Sequence, residues 1–244
     1  MRTVRLHLPV EFISGQTLSL TKEQAHYALT VLRLKNNTVL ELFDGQGNLA
    51  QGTLLVEGRR DASVQVGTVS QSHNESPLDT ILLQGISRGD RMDYSLQKAV
   101  ELGVKAIQPL FTERCEVKLK DDKIDKRRAQ WQAIVINACE QSGRAFVPEV
   151  LPLMTLKEFW QQNPSIQGIV CDPYAKQTLA QMATPNFKQP LNILVGPEGG
   201  LTDEEVGLAV QQGCTAIQLG PRILRTETAG PAMLAIAQSL WGDI

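Results

Sequence analysis

No stretch of about 18 apolar residues occurs anywhere in the 244-residue chain, so nothing in it is expected to span a membrane. The opening Met1-Arg2-Thr3-Val4-Arg5 leads into no apolar run long enough for a signal peptide, and a cytoplasmic protein is expected. Cysteine is sparse. The four, at positions 115, 139, 171 and 214, form no C-x-x-C pair, which argues against a disulfide framework or a zinc site. They read as reduced thiols, buried as small hydrophobes. The histidines, His7, His26 and His73, all precede the second half of the pattern described below. No His/Cys/carboxylate cluster has metal-ligand spacing, and no metal is expected. No G-x-G-x-x-G follows a predicted strand and no G-x-x-x-x-G-K-S/T occurs; Gly85-Ile86-Ser87-Arg88-Gly89 has the G-x-S-x-G spacing, but no histidine follows residue 73 to complete a triad with it. Dinucleotide, P-loop and serine-hydrolase readings therefore lose their machinery. The formal net charge of −2 argues against nonspecific coating of nucleic acid, but it allows a local basic patch.

What is present is ordinary for a globular protein, with 42% hydrophobic and 20% charged residues. The chain is long enough to bury a core unaided. Its first 70 or so residues are β-rich. Val4, Leu6, Leu8 and Val10 alternate with other residues as in a half-buried strand, and further strands are expected at 38–43, 48–57 and 62–69. Asp44-Gly45-Gln46-Gly47 supplies residues that tolerate positive φ for a reversal. A short helix is expected at 21–34, with Thr21 as its N-cap. Short strands with turn punctuation suggest a small barrel. Residues 70–79 are polar, aperiodic and contain a proline, so a linker and a domain boundary near residue 75 follow.

Beyond that linker, strand and helix alternate. Strands are expected at 80–86, 106–111, 168–171, 191–195 and 215–219, and helices at 90–102, 124–142 and 226–240. Gly103, Gly143 and Gly213 stop helices, and Thr202-Asp203-Glu204-Glu205 is a capping box that opens another. This alternation builds a parallel sheet with helices on both faces, an α/β fold. Ligands of such sheets bind at the carboxyl ends of the strands. Two glycine-bearing loops lie there: Gly196-Pro197-Glu198-Gly199-Gly200, and the segment 219–228 that reads Leu-Gly-Pro-Arg-Ile-Leu-Arg-Thr-Glu-Thr. Glycine lets backbone approach a flat ligand closely, although a tight strand-to-helix turn would explain the first loop equally well.

Together the two loops resemble the RsmE family, methyltransferases that modify N3 of a uridine in 16S ribosomal RNA. The resemblance extends to Lys98-Ala99-Val100-Glu101-Leu102-Gly103, Glu113-Arg114 and Glu140-Gln141-Ser142-Gly143-Arg144, and to Arg2, Arg5, His26 and Val31-Leu32-Arg33. It implies a PUA-like β-barrel RNA-binding domain at residues 1–72, followed by a SPOUT-type α/β domain at residues 76–244 with a C-terminal trefoil knot. It also implies S-adenosyl-L-methionine as cofactor, 16S rRNA within the small ribosomal subunit as partner, and a homodimer.

Under this resemblance Leu194, Gly196, Pro197, Glu198, Gly199, Leu219, Ile223, Leu224 and Thr228 are expected to form the donor pocket. The N3 proton must leave before the nitrogen attacks. Arg225 is the first candidate to stabilise the resulting anion, ahead of Arg222. Glu227 is the nearest carboxylate to act as base, and it reads equally as a helix-start residue that favours the dipole. Phosphate contacts are expected from Arg2, Arg5, Arg33, Arg88, Arg91, Lys98, Arg114 and Arg144. A SPOUT enzyme acting on a ribose hydroxyl or another base is the alternative.

Overall fold

The computed structural model describes residues 3–244, apart from the side chain of Asp121; the Arg2 expectation lies outside the described residues. The chain divides into two units, one formed by Met1–Glu75 with Cys139–Val147 and the other by Ser76–Ala138 with Pro148–Ile244. An uninterrupted division at residue 75 does not anticipate that residues 139–147 join the first unit.

In the first unit, β1 (Val4–His7), β2 (Thr17–Ser19), β3 (Val39–Phe43), β4 (Asn48–Val56) and β5 (Ala62–Gln71) form one sheet in the order β1-β3-β4-β5-β2. Its inward residues, among them Leu6, Leu40, Leu42, Leu54, Val64 and Val66, share one core. Thr21 caps α1 (Lys22–His26) in a capping box with Gln24. The helix then widens into a π-turn over Tyr27–Val31 and ends at Arg33, an αL residue with φ 54°. Gly45 and Gly47 hold φ of 84° and 101°, as the reversal between β3 and β4 requires.

Residues 139–147 are tied into this unit by buried polar groups. Arg5 lies 4.7 Å over the Phe43 ring, and its Nε donates to Glu41 at 2.6 Å. Its Nη1 donates to the carbonyls of Cys139 and Arg144, at 2.8 and 3.0 Å. Glu140 accepts from the backbone N–H of His7 and from the Tyr27 hydroxyl. Burial pushes the Glu140 carboxyl up, and burial together with the neighbouring Glu140 charge pushes Tyr27 up to about 12. Arg144 is itself buried and ion-paired with Glu75. Arg5 and Arg144 are therefore structural and not phosphate-binding. With 9% of Arg5 and 6% of Arg144 exposed, neither guanidinium is accessible to a backbone phosphate.

The second unit contains β6 (Thr80–Gly85), α2 (Asp90–Glu101), β7 (Ala106–Phe111), α3 (Asp121–Ser142, to Ala138 in this unit), β8 (Glu149–Val150), β9 (Met154–Thr155), α4 (Leu156–Gln162), β10 (Gly168–Cys171), β11 (Leu191–Val195), α5 (Asp203–Gln211), β12 (Cys214–Ile217) and α6 (Thr226–Trp241). The sheet is parallel and ordered β12-β10-β11-β6-β7-β8, with β9 also paired to β7. Its central strands are mostly apolar on both faces because both faces are covered; every residue of β11 is buried. Leu83, Leu110, Phe159, Trp160, Val170 and Leu194 meet in one core. Strand order reverses where β10 and β12 lie beyond β11, on the side away from β7. That switch point brings the loops after β10, β11 and β12 to one end of the sheet. Among the described residues no helix is long and apolar enough to cross a membrane.

Replacing the buried Arg5 by leucine strips two carbonyls and one carboxylate of their donor. A loss of about 2–3 kcal/mol in the stability of the first unit is expected, measured by urea unfolding or amide exchange. Unchanged stability with weakened RNA binding would return Arg5 to the RNA-facing set.

Candidate active site

The loop after β11 is compressed against its surroundings. A Cβ on Gly196 would meet the backbone of Gly200 and Leu201 at 2.9 Å, and one on Gly199 would meet Arg114 Cβ at 2.8 Å. Gly85, at the end of β6, lies so near the loop that its Cβ would fall 2.6 Å from the nitrogen of Pro197. Gly200 holds φ 71° and donates its N–H to the Pro197 carbonyl at 2.9 Å. Glycine is required by contact at 85, 196 and 199, and by conformation at 200.

Thr226, the first residue of α6, ties this loop to the next. Its hydroxyl donates to the Gly196 carbonyl at 2.7 Å and accepts from Gln84 Nε2 at 3.0 Å. From the other side, Arg114 Nη1 donates to the carbonyls of Gly199 and Leu201, both at 3.2 Å. Arg114 thus works as a brace for the glycine loop. Glu198 accepts from the backbone N–H of Arg88 at 2.9 Å and from the Arg91 guanidinium at 3.1 Å. Burial pushes the Glu198 carboxyl up, but these hydrogen bonds and the Arg91 charge outweigh it and leave the group below its usual range.

These loops enclose a cavity of about 610 Å³. Of the expected donor residues, Gly196, Pro197, Glu198, Gly199, Leu219, Ile223 and Leu224 line it, and so do Arg225 and Glu227. Leu194 does not: it is fully buried in the core beneath. Thr228 is exposed and absent from the lining, its N–H turned back to the Arg225 carbonyl. The cavity also takes in residues that sequence reasoning placed elsewhere or passed over. Arg91 and Arg114 were expected only at phosphates. Asp172, Pro173 and Tyr174 follow β10, which is a strand end like the other two, and the turn signal Asp-Pro was available to find them. Asp203 and Val206 come from α5.

Charge gathers at one side. Glu227 sits 3.9 Å from Arg91 Nε and 4.0 Å from Arg225 Nη1, while its Oε2 is buried without a hydrogen-bond partner among the described residues. Arg225 leaves 76% of its side chain exposed. Of the other expected RNA contacts, Arg33 is exposed, Arg88 pairs with Glu116 at 2.5 Å and Lys98 pairs with Glu101 at 2.7 Å. Those exposed pairs are weak enough for a phosphate to displace.

The cavity suits a nucleoside-sized ligand, lying within the range of about 300–1,000 Å³ usual for small-molecule sites. Apolar walls at Val206, Ile217, Leu219 and Leu224 suit a planar base. The backbone of the two loops suits its polar edge, and Asp172, Asp203 and Glu227 suit a cationic ligand. An RNA methyltransferase domain model matches residues 74–238, and an RNA methyltransferase PUA domain model matches residues 20–67. Fold and site thus define an RNA methyltransferase with a separate PUA module. The ribosomal RNA small subunit methyltransferase E of Buchnera aphidicola (subspecies Schizaphis graminum) is 34% identical over 244 residues, covering 100% of this chain and 98% of that protein. The Bacillus subtilis enzyme of the same name is 32% identical, covering 87% and 86%. The Neisseria gonorrhoeae enzyme, crystallised with S-adenosyl methionine, superposes with a TM-score of 0.91 at 42% identity over 100% of both chains. The chain belongs to the ribosomal RNA small subunit methyltransferase E family.

Thr226→Val removes the hydroxyl at nearly constant volume and leaves the Gly196 carbonyl without its donor. The second unit is expected to lose about 1–3 kcal/mol on urea unfolding, and Thr226→Ser to recover most of it. A valine variant as stable as wild type would show that this tie between loops carries no weight.

Proposed function

We propose that the protein uses S-adenosyl-L-methionine to methylate N3 of a uridine in 16S ribosomal RNA of the small subunit, acting in the cytoplasm as a homodimer. The observation that carries this reading is the cavity at the switch point, walled by both glycine-bearing loops in a chain that belongs throughout its length to this family. We read loops 196–200 and 219–228 as the family's trefoil knot. The close packing of Gly85 under Pro197 and the Thr226–Gly196 hydrogen bond support a compact crossing there.

The donor supplies a methyl already activated as a sulfonium, so the protein's share is alignment, exclusion of water and handling of one proton. Backbone groups of Gly196, Pro197, Glu198, Gly199 and Leu219, with the side chains of Ile223 and Leu224, hold the donor. Leu194 supports that wall from the core rather than touching it. Arg225, exposed at the rim, faces the acceptor and stabilises the negative charge that uracil carries once N3 is deprotonated, as an oxyanion hole would. Glu227, 3.9 Å from Arg91 Nε and 4.0 Å from Arg225 Nη1, receives the N3 proton on its carboxylate. The N3 edge is the pairing edge, so the target uridine is unpaired or flipped when it enters. Arg33, Arg88 and Lys98 contact RNA phosphates, and Arg5 and Arg144 do not.

Incubation with donor and undermodified small subunits, followed by nucleoside mass spectrometry, should yield 3-methyluridine. Methyl found on ribose, or on no nucleoside, would overturn the acceptor assignment. Arg225→Ala should cut turnover by about 10²–10³-fold while donor affinity, read by calorimetry, stays at the wild-type value. Collapse of donor affinity would instead move Arg225 into the donor pocket.

A further inference from the structure

One side chain at the cavity has no use in the account above. Tyr174 lines the cavity and is 80% exposed, the most exposed large hydrophobic residue recorded in the protein. It is also the one aromatic among the residues that line the cavity. Among the described residues its hydroxyl makes no hydrogen bond and no ring or cation stacks on it, so folding gains little from placing it there.

The loop that carries it is nevertheless held firmly. The Tyr174 N–H donates to Asp172 Oδ1 at 3.0 Å, and Ala175 N–H donates to the Asp172 carbonyl at 3.2 Å. Asp172 N–H donates to the Ile217 carbonyl at 3.0 Å, and Gln218 Nε2 donates to the Pro173 carbonyl at 3.1 Å. Gln218 N–H in turn donates to the Gln177 carbonyl at 2.8 Å. The loop that bears the ring is thus fixed to the strand whose continuation is Leu219, a donor-wall residue. A bare aromatic ring on a braced loop at a ligand mouth is a preorganised surface, which loses little entropy when something flat lands on it.

The chemistry of the acceptor says what that is. The lone pair on deprotonated uracil N3 lies in the plane of the base. The methyl must therefore arrive in that plane, and the groups that meet the base edge cannot also stop it tilting. Tilt is resisted only by contact with a face of the ring. Arg225 and Glu227 serve the edge. From this we infer that Tyr174 is the platform on which the target uracil stacks, holding its plane in line with the donor methyl. This assignment rests on the uridine-N3 reading given above.

The test compares Tyr174→Ala, Tyr174→Leu and Tyr174→Phe on undermodified small subunits, with donor affinity measured separately by calorimetry. Loss of a single stacked base lowers kcat/KM by about 5- to 150-fold in the alanine variant. Leucine, apolar but without a π-face, stays well below wild type, whereas phenylalanine recovers most of the loss because the hydroxyl has no partner. Donor affinity stays within about twofold in all three, which also shows that the variants are folded. A parallel drop in donor affinity would assign the ring to the donor pocket and overturn the platform. So would an alanine variant with wild-type kcat/KM, or a phenylalanine variant as impaired as alanine. If wild-type protein itself leaves uridine N3 unmethylated, the acceptor reading fails. If wild type works and the alanine variant is unaffected, only the platform fails.

Discussion

Thr226 donates its hydroxyl proton to the carbonyl of Gly196 and accepts from the amide of Gln84, so one buried oxygen links the loop after β11, the start of α6 and strand β6. The rest of the site follows from that link. Once Gly196 is held, Pro197 sits on Gly85 and Glu198 reaches the backbone of Arg88. Gly199 and Leu201 can then be braced by Arg114. The start of α6 is anchored in the same stroke, and with it Arg225 and Glu227. Alignment of an acceptor with a donor to within fractions of an ångström depends on such ties, because loop 196–200 belongs to no strand or helix.

A second constraint is electrostatic. Glu198 and Glu227 share Arg91, which comes from α2, whereas Arg225 belongs to the same loop as Glu227. A charge introduced by mutation at any one of these positions would be felt by the other three. Their effects on turnover should be coupled rather than additive.

Much of this was legible in residue order. The central strands announced themselves as short apolar runs, and β7, β10 and β11 fall where those runs predict. Thr21 declared its helix as an N-cap, and Thr202 did so through a capping box. The glycine loops were legible as ligand loops because strand ends in a parallel sheet are where ligands bind. What escaped has physical reasons. Two-residue strands such as β8 and β9 have no periodicity to detect. Burial of Arg5 and Arg144 depends on partners far away in sequence, so a basic residue in an RNA enzyme was read as an RNA contact when it is an internal donor. The same reason hid the return of residues 139–147 to the first unit, since nothing within that segment signals it. Leu194 was misplaced by one layer, because a strand buried along its whole length gives no signal that separates a cavity wall from the core behind it. Asp172, Pro173 and Tyr174 could have been found by the rule that found the other two loops, had it been applied to β10.

The order of the strands has a consequence for when the site can exist. β10 and β12 lie beyond β11, and α6 packs back against α2 and β11, so apart from Arg91 and Arg114 the cavity walls come from residues 171–229, while their support reaches to Trp241. A nascent chain that has emerged only through β11 has its central strands, yet it lacks the hydroxyl of Thr226 and half the walls. Binding competence therefore switches on late in synthesis and nearly all at once, after the first unit and most of the second unit's sheet have already had time to fold.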